Sequence, residues 1–343
     1  MDNVLIISLR PLSPVRSGFQ NTVSLLNNAL KKNFNVKFIF SDNSNDIDPV
    51  FDLYYDPSFD KILNELIKDL TPKYIFINTS KLLYLYRETL FKNNNKVILA
   101  CHDLYYFRKE YFKKNNLLDS TSITKNEELD VLKKCKYIID FAHYEYEFLN
   151  KNSINKSKLF FTMSPVKVFE FNYSDKRVYD FFFIGSKWQQ NTLSLNHFFK
   201  QSFEYFKNKK IRVVGTNFID ENLNFSYSSS LDQDDFMNSK IGLAPIYEGT
   251  GRNVKIFDMM ANSLPVITNK DLSVYGLESG YHYILVNNFH DWKDELRKLE
   301  KSYDNRKFIA FNGWEWVNEN SNANRVFTSL VENLNEELKE NNP

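Results

Sequence analysis

The chain has little cysteine, glycine and proline for its length. Its 343 residues include two cysteines, nine glycines and nine prolines. Cys101 and Cys135 cannot form a disulfide framework and do not stand in a Cys-x-x-Cys motif, which is typical of a protein in a reducing compartment. Because glycine is scarce, each glycine cluster indicates a place where the backbone turns tightly or is approached closely.

A strong net charge and long apolar runs are also missing. The 44 Lys and Arg residues balance 43 Asp and Glu residues, which leaves a formal net charge of +1 and gives no indication of a nucleic-acid partner. No stretch of about 18 apolar residues occurs, and no basic segment precedes the first apolar run, so we expect neither a membrane span nor a signal peptide. We predict a cytoplasmic protein, with the inner face of the membrane as an alternative location.

Aromatic residues are what the sequence has in abundance. With 31 Phe and 20 Tyr, aromatic residues reach 16%, whereas 43% hydrophobic and 25% charged residues are ordinary values for a globular protein. A chain of this length predicts two domains, with a single domain as the alternative. We expect most of the aromatic side chains in the core.

Short apolar runs alternate with segments of helical periodicity, such as residues 21–32 and 59–70. This alternation is typical of parallel sheets with helices on both faces, and it predicts an α/β protein with two Rossmann-like halves. The predicted strands are 4–9, 36–40, 74–78, 96–100, 137–140 and 159–162, followed by 180–184, 211–214, 240–244, 264–268 and 283–286.

The two halves are joined by residues 164–177, which mix a proline, charges and isolated apolar residues without a period. We predict that this segment is a linker. The stretch 322–340 has apolar residues near one face at helical spacing and is predicted to be an amphipathic helix. In facing α/β sheets the carboxyl ends of the strands hold the ligand, so we expect the site in a cleft between the halves.

The strongest functional signal is a glycine-containing loop before a predicted helix in the second half. Gly249 and Gly251 precede a helix start whose free backbone N–H groups and positive dipole end suit a phosphate. Arg252 and Lys255 add full charges there, and Asp258 lies further along the helix, where it can accept hydrogen bonds from hydroxyl groups. The pattern predicts a clamp for a nucleotide-diphosphate sugar; a loop and helix with surface cations is the alternative.

Two further glycines stand at corresponding places in the halves. Gly18 follows the first predicted strand and precedes the helix predicted from Asn21, and Gly185 is followed by Ser186 and Lys187 after the first strand of the second half. Either glycine would let a diphosphate or an acceptor approach the backbone. A simple turn glycine is the equally weighted alternative.

His102 ends the apolar run that includes the predicted strand 96–100. A lone histidine at a strand end is more often a structural hydrogen-bonding group than a ligand-binding one. The histidines show no His-x-x-x-His spacing, so we predict no metal site.

Together these motifs resemble retaining glycosyltransferases of the two-Rossmann-domain GT-B fold, of the large group-1 or family-four type. The segment 248–268 is similar to their donor-binding signature, and the segments 13–18, 101–103, 183–187 and 212–215 fall in the order and spacing of the family. The resemblance is diffuse in the first half and specific in the second.

The resemblance implies a GT-B fold with domains 1–167 and 168–319 and a C-terminal helix, 320–343, that crosses back to the first domain. It implies catalytic roles for His102, Lys255 and Arg252 and donor-binding roles for Gly18, Gly185, Lys187, Glu248, Gly249, Thr250, Gly251, Asn253 and Asp258. The donor substrate would be a nucleotide-diphosphate sugar, the acceptor a glycan or a lipid-linked hydroxyl group, and no resident cofactor would be needed. The resemblance also implies that the anomeric configuration of the sugar is retained, by front-face attack and without a metal ion. It further implies a role in bacterial surface-glycan synthesis.

One departure from the family keeps other functions open. Members with a Glu-x7-Glu pair place the two glutamates eight positions apart, whereas Glu248 and Asp258 are ten apart and the second is an aspartate. The sequence is closer to the subgroup with a Gly-x-Gly loop and a lysine three residues before the acid. A glycosyltransferase-like partner subunit without activity, and a sugar-nucleotide epimerase or hydrolase, remain alternatives.

Two other segments admit a functional and a structural interpretation. The Asp232-Gln233-Asp234-Asp235 stretch resembles an Asp-x-Asp metal motif, but we favour a helix cap with first-turn carboxylates. Residues 105–114 interleave aromatic and basic residues. We favour a partly buried amphipathic helix, with a lipid-linked or polyanionic acceptor, or peripheral contact with an anionic membrane, as the alternatives.

Overall fold

The computed structural model describes residues 1–13, 18–41, 54–114, 123–186, 189–216, 223–247 and 253–340. Within these ranges the strands form two six-stranded sheets, and every neighbouring pair of strands is parallel. The first sheet contains β1 (Asn3–Ser8), β2 (Asn35–Phe40), β3 (Tyr74–Ile77), β4 (Val97–Cys101), β5 (Tyr137–Asp140) and β6 (Leu159–Phe161). Its strand order is β2-β1-β3-β4-β5-β6.

The second sheet is built in the same way from the second half of the chain. It contains β7 (Tyr179–Ile184), β8 (Ile211–Val214), β9 (Phe225–Ser228), β10 (Ser239–Ala244), β11 (Val266–Thr268) and β12 (Ile284–Leu285). Its strand order is β12-β11-β10-β7-β8-β9. The chain moves outward from β7 to β9 and then returns to pair β10 with β7, so the carboxyl ends of β7 and β10 mark the switch point at which doubly wound sheets bind ligands.

Helices connect the strands and cover the sheets. They are α1 (Gly18–Leu30), α2 (Pro57–Leu70), α3 (Ser80–Leu85), α4 (Arg87–Leu90), α5 (Tyr105–Lys114), α6 (Lys125–Lys134), α7 (His143–Lys151), α8 (Gln189–Phe206), α9 (Gln233–Met237), α10 (Val254–Ala261), α11 (Phe289–Lys301), α12 (Tyr303–Asn320) and α13 (Ala323–Glu340). Short 3-10 turns occur at Lys92–Asn94, Lys156–Lys158 and Ser273–Tyr275.

The central strands are continuous apolar runs because both faces of each sheet are covered. In β7, Phe181 and Phe183 pack into the core on one face, and Phe182 packs into the core on the other. The same alternation holds in β1, where Ile6 and Ile7 enter different cores. The three phenylalanines of β7 are therefore core residues, whereas others, such as Phe308 and Phe311, are exposed, so the expectation of a mostly buried aromatic set holds only in part.

Helix α2 illustrates how local sequence sets the helix ends. The Asp56 side chain accepts a hydrogen bond from the backbone N–H of Ser58, and Pro57 occupies the first helical position, where its missing N–H is not needed. The helix ends at Thr71, which adopts a left-handed conformation with φ of 42°. Both ends are thus specified by residues that cap or stop a helix.

The last helix returns to the first sheet, as predicted. Phe327, Val331 and Leu334 of α13 share a buried core with Val23 and Leu26 of α1. The entry to α13 is fixed by two backbone hydrogen bonds, from Val166 N to Ser321 O at 2.8 Å and from Ala323 N to Val166 O at 3.0 Å. The architecture of two Rossmann-like domains with a returning C-terminal helix is confirmed; the predicted boundary at 167/168 falls in the connection between β6 and β7.

Candidate donor site at the carboxyl ends of the second sheet

Helix α10 begins where the glycine motif predicts a phosphate-binding end. Asn253 precedes the helix in a left-handed conformation with φ of 51°, a conformation that asparagine tolerates better than most residues. The chain therefore turns sharply into α10. The motif residues Glu248, Gly249, Thr250, Gly251 and Arg252 lie outside the described residues, as does Lys187.

Lys255 lies in the first turn of α10 and is half-buried. Its Nζ donates a hydrogen bond to Oδ1 of Asn191 at 2.8 Å and lies 4.9 Å from the centre of the Phe183 ring. Both groups favour a cation without carrying a formal charge themselves. Burial penalises the ammonium form and lowers the pKa of Lys255 to about 8.

Asn191 joins this lysine to the loop after β7. Its Nδ2 donates hydrogen bonds to the backbone oxygen of Ser186 at 3.0 Å and to the Ser186 Oγ at 3.3 Å. A Cβ atom on Gly185 would lie 3.0 Å from Cγ of Asn191, so the packing there leaves little room for a side chain. The structure thus brings Gly185 and Lys255 together through Asn191, a residue that sequence analysis did not single out.

The loops after β7 and β8 touch each other through two glycines. Gly215 has φ of +88°, and a Cβ atom there would lie 2.3 Å from the backbone oxygen of Gly185. The Gly185 N–H also donates to Val214 O at 3.0 Å. Gly215 is therefore required both for its conformation and for this close approach.

The exit of β10, which leads into the glycine loop, is held by side chains from two neighbouring elements. Asn269, just after β11, accepts a hydrogen bond from Ile246 N at 2.7 Å and donates one to Ile246 O at 3.0 Å. Tyr247 N donates to Ser194 Oγ of α8 at 3.3 Å. Asn269 is a polar residue directly after a strand, whereas Asn191 and Ser194 lie within α8 and carry no such signal in the sequence.

The other predicted donor residues occupy separate places. Asp258 lies on α10, one turn beyond Lys255, and is half-buried. Gly18 is the first residue of α1, so the helix starts earlier in the chain than the predicted start near Asn21. Gly18 therefore belongs to the first helical turn and not to the preceding loop.

His102 directly follows β4 of the first sheet, as predicted. It is only 3% exposed, and its ring lies 5.3 Å from that of Phe141, tilted by 32°. The histidine thus ends a strand of the first domain, whereas Lys255 belongs to the second. Its ring is covered by the protein, which was not foreseen.

Buried acidic groups surround the strand end that carries His102. Sγ of Cys101 and carboxylate oxygens of Asp140 and Glu145 lie within 4.8 Å of one another, a donor set that could hold a cation. Glu145, however, accepts hydrogen bonds from Leu104 N at 3.0 Å and from the Tyr144 hydroxyl at 3.1 Å. Burial, followed by the neighbouring carboxylates, raises the pKa of Glu145 well above its usual range. A buried Glu145 that accepts these hydrogen bonds and fixes the loop after His102 accounts for this cluster.

The basic aromatic segment 105–114 forms helix α5, and several of its side chains face the protein. Tyr105 and Arg108 are buried, and Phe107 packs edge-on against Phe148 at 4.7 Å. The start of α5 is capped by the buried Glu128, which accepts hydrogen bonds from Tyr105 N and Tyr106 N at 2.8 Å each. This agrees with the favoured interpretation of a partly buried helix.

The Asp-x-Asp stretch is a helix cap, as favoured from the sequence. Asp232 accepts a hydrogen bond from Asp234 N, and Asp235 completes a capping box with Asp232. Asp235 also pairs with Arg212 at 2.7 Å. The carboxylates of Asp232 and Asp235 are therefore both engaged in local structure.

Comparison by sequence gives no match to this chain. No protein-family model matches the sequence, and no curated protein matches it significantly. Within the described part of the chain, no helix combines the length and the apolar character needed to cross a membrane.

Solved structures resemble the chain along almost its whole length. Sucrose-phosphate synthase from Thermosynechococcus elongatus aligns over 99% of this chain and 100% of its own, with a TM-score of 0.74 and 12% identity. Anabaena HepE, solved with UDP and glucose, aligns over 98% of this chain and 100% of its own, with a TM-score of 0.71 and 10% identity. A glycosyltransferase from Rickettsia africae aligns over 99% and 100%, with a TM-score of 0.64 and 15% identity. The chain therefore has the GT-B fold of these glycosyltransferases, as its motifs implied.

Proposed function

We propose that the protein is a retaining, metal-independent glycosyltransferase that moves a sugar from a nucleotide-diphosphate donor to a hydroxyl acceptor. The observation that carries the proposal is the position of Lys255. Its amine lies at the N-terminal turn of α10 and is linked by Asn191 to the loop after β7. That is the switch point of the second sheet, where doubly wound folds hold phosphorylated ligands.

The proposed chemistry follows from where charge develops. Breaking the bond between the sugar and the donor phosphate leaves negative charge on the departing nucleoside diphosphate. A lysine that is fixed in place and half-buried stabilises that charge better than it would in water, because little reorganisation is needed during the reaction. In this proposal Lys255 and Arg252 bind the diphosphate, Asp258 accepts hydrogen bonds from donor hydroxyl groups, and His102, with its covered ring, belongs to the strand end that borders the donor sugar.

The solved relatives support the type of donor. HepE was solved with UDP-glucose as well as with UDP and glucose. We propose a nucleotide-diphosphate sugar for this chain, and a glycan or a lipid-linked acceptor in bacterial surface-glycan synthesis. On this proposal the protein works in the cytoplasm, where nucleotide sugars are made, and peripheral membrane contact would serve a lipid-linked acceptor.

The first test is thermal stabilisation by UDP, GDP, ADP, CMP and dTDP. A ligand at about 100 times its dissociation constant should stabilise the fold by about 2.7 kcal/mol. We expect stabilisation by one nucleotide, and its loss in Lys255→Ala. Lys240→Ala is a matched control, because Lys240 pairs with Asp180 at 3.0 Å near the amino ends of β10 and β7, opposite the carboxyl ends that form the proposed site.

The product then identifies the reaction. With the matching sugar nucleotide, we expect transfer to an acceptor with the donor's anomeric configuration kept, as measured by proton NMR, and undiminished turnover in EDTA. An inverted anomer would refute retention, and an isomerised nucleotide sugar without acceptor would indicate an epimerase. If no nucleotide stabilises the protein, an inactive partner subunit becomes the better explanation.

A further inference from the structure

We propose that Asn191 is a positioning residue for the donor diphosphate, which acts by holding the Lys255 ammonium at the loop after β7. This inference rests on the proposed function. Asn191 links Lys255 of α10 to the loop after β7, since it accepts from Lys255 Nζ at 2.8 Å and donates to Ser186 O at 3.0 Å.

The orientation of the Asn191 amide is fixed by its partners. A lysine ammonium can only donate and a backbone carbonyl can only accept, so Oδ1 must face Lys255 and Nδ2 must face Ser186. The amide is further confined by Gly185, where a Cβ would lie 3.0 Å from the Asn191 Cγ. Asn191 therefore has little freedom, and the ammonium takes its position from a rigid acceptor.

An uncharged acceptor suits this task for an electrostatic reason. A lysine on a flexible four-carbon stem loses rotamer entropy when it is ordered, and an acceptor that orders it beforehand reduces that loss on ligand binding. A carboxylate at the same place would order the lysine equally well but would repel the donor diphosphate. The amide oxygen holds the amine without neutralising it, so the full charge remains for the phosphate.

Two described elements face the amine, α8 through Asn191 and β7 through the Phe183 ring at 4.9 Å. Asp258 is the acidic residue one turn further along α10. Replacing Asn191 therefore changes the charge or polarity of the group that contacts the amine, while the Phe183 ring stays in place.

Substitution of Asn191 by leucine or by aspartate separates the loss of the hydrogen bond to Lys255 from the effect of an added negative charge. Asn191→Leu removes the acceptor and leaves the ammonium against apolar groups, so we expect affinity for the matching nucleoside diphosphate to fall about tenfold. Asn191→Asp keeps the shape and adds a carboxylate that competes with the diphosphate, so we expect at least a similar loss. In a Lys255→Met background, Asn191→Leu should change the affinity less than twofold, because Asn191 acts through the lysine.

Direct titration of the amine gives a readout that does not depend on nucleotide. With 15N-labelled lysine followed by NMR, the Lys255 midpoint should rise in Asn191→Asp and fall in Asn191→Leu, because a carboxylate favours the charged form and an apolar neighbour disfavours it. A residue with a purely structural role would not shift the midpoint in opposite directions. Thr192→Val is the matched control, since it removes a hydrogen bond to Thr216 at 2.9 Å from the same turn of α8, and it should leave the midpoint unchanged.

The outcomes distinguish this inference from the proposed function. If no nucleotide binds the wild-type protein, the proposed function fails, and the inference fails with it. If a nucleotide binds and the Asn191 variants bind it as the wild type does, or lose affinity equally in the Lys255→Met background, the positioning role alone is refuted.

Discussion

Binding of the donor should draw a proton onto Lys255. Burial lowers the pKa of this amine to about 8, and a bound diphosphate favours the charged form and raises it again. The sign follows directly: below pH 8 the amine is already charged and binding is unaffected, whereas above pH 8 binding must first recover the proton. Affinity should therefore weaken as pH rises through 8.

The size of this pH effect on affinity follows from the pKa of Lys255. For one group with a free pKa of about 8, the dissociation constant of a nucleotide sugar should rise about tenfold between pH 7 and pH 9, or about 1.4 kcal/mol. The diphosphate diester of a nucleotide sugar keeps the same charge over this range, so the titration belongs to the protein. Proton uptake on binding should be about half a proton at pH 8.

Isothermal titration calorimetry measures both quantities. Binding enthalpies in two buffers with different ionisation enthalpies give the proton uptake, and the isotherms give the affinity. Lys255→Arg is the matched variant, because its guanidinium stays charged throughout and should remove the pH dependence. If wild type and Lys255→Arg show the same slope, or if no proton is taken up at pH 8, then Lys255 is not the group that meets the diphosphate.

Three other predictions concern the surroundings of the site. Gly215→Ala should cost about 1 to 3 kcal/mol in urea unfolding, because its Cβ would meet Gly185 O at 2.3 Å, and more than Gly280→Ala, whose Cβ would meet nothing within 4 Å; equal costs would contradict the close approach. Glu145→Gln should change the free energy of unfolding more favourably at pH 8 than at pH 5, because burial raises the pKa of Glu145 and stability is lost as pH rises above the unfolded value; the same change at both pH values would refute the raised pKa. Asp234→Ala should leave turnover unchanged, because Asp234 is exposed on the capping turn; activity that is lost and then restored by Mn²⁺ would show a metal site.

The fold could be predicted largely from local apolar patterns. The strands predicted at 137–140 and 211–214 match β5 and β8, because strands buried on both faces are runs of apolar residues. Strand β9, an edge strand of its sheet, was missed, and its Phe-Ser-Tyr-Ser sequence is half-exposed. In β9 the alternating serines leave no apolar run in the sequence, whereas the edge strands β2, β6 and β12 do have one.

The site could be predicted only in part, and for a different reason. Lys255 and Asp258 belong to one contiguous motif, so their neighbourhood is visible along the chain. Asn191 bonds to a lysine 64 residues away, and Glu145 faces Cys101 across 44 residues. Such partners become neighbours only when strands and helices assemble, and neither residue type nor spacing marks them beforehand.

The return of α13 to α1 has a consequence for synthesis on the ribosome. Val23 and Leu26 emerge long before Phe327 and Val331, which share their core. Until then, the side chains that α13 contributes to this core are missing, and the N-terminal domain must wait while the whole second domain is translated. We expect a nascent chain stalled before residue 323 to remain sensitive to protease within its N-terminal domain, and release of α13 to be the step that protects it.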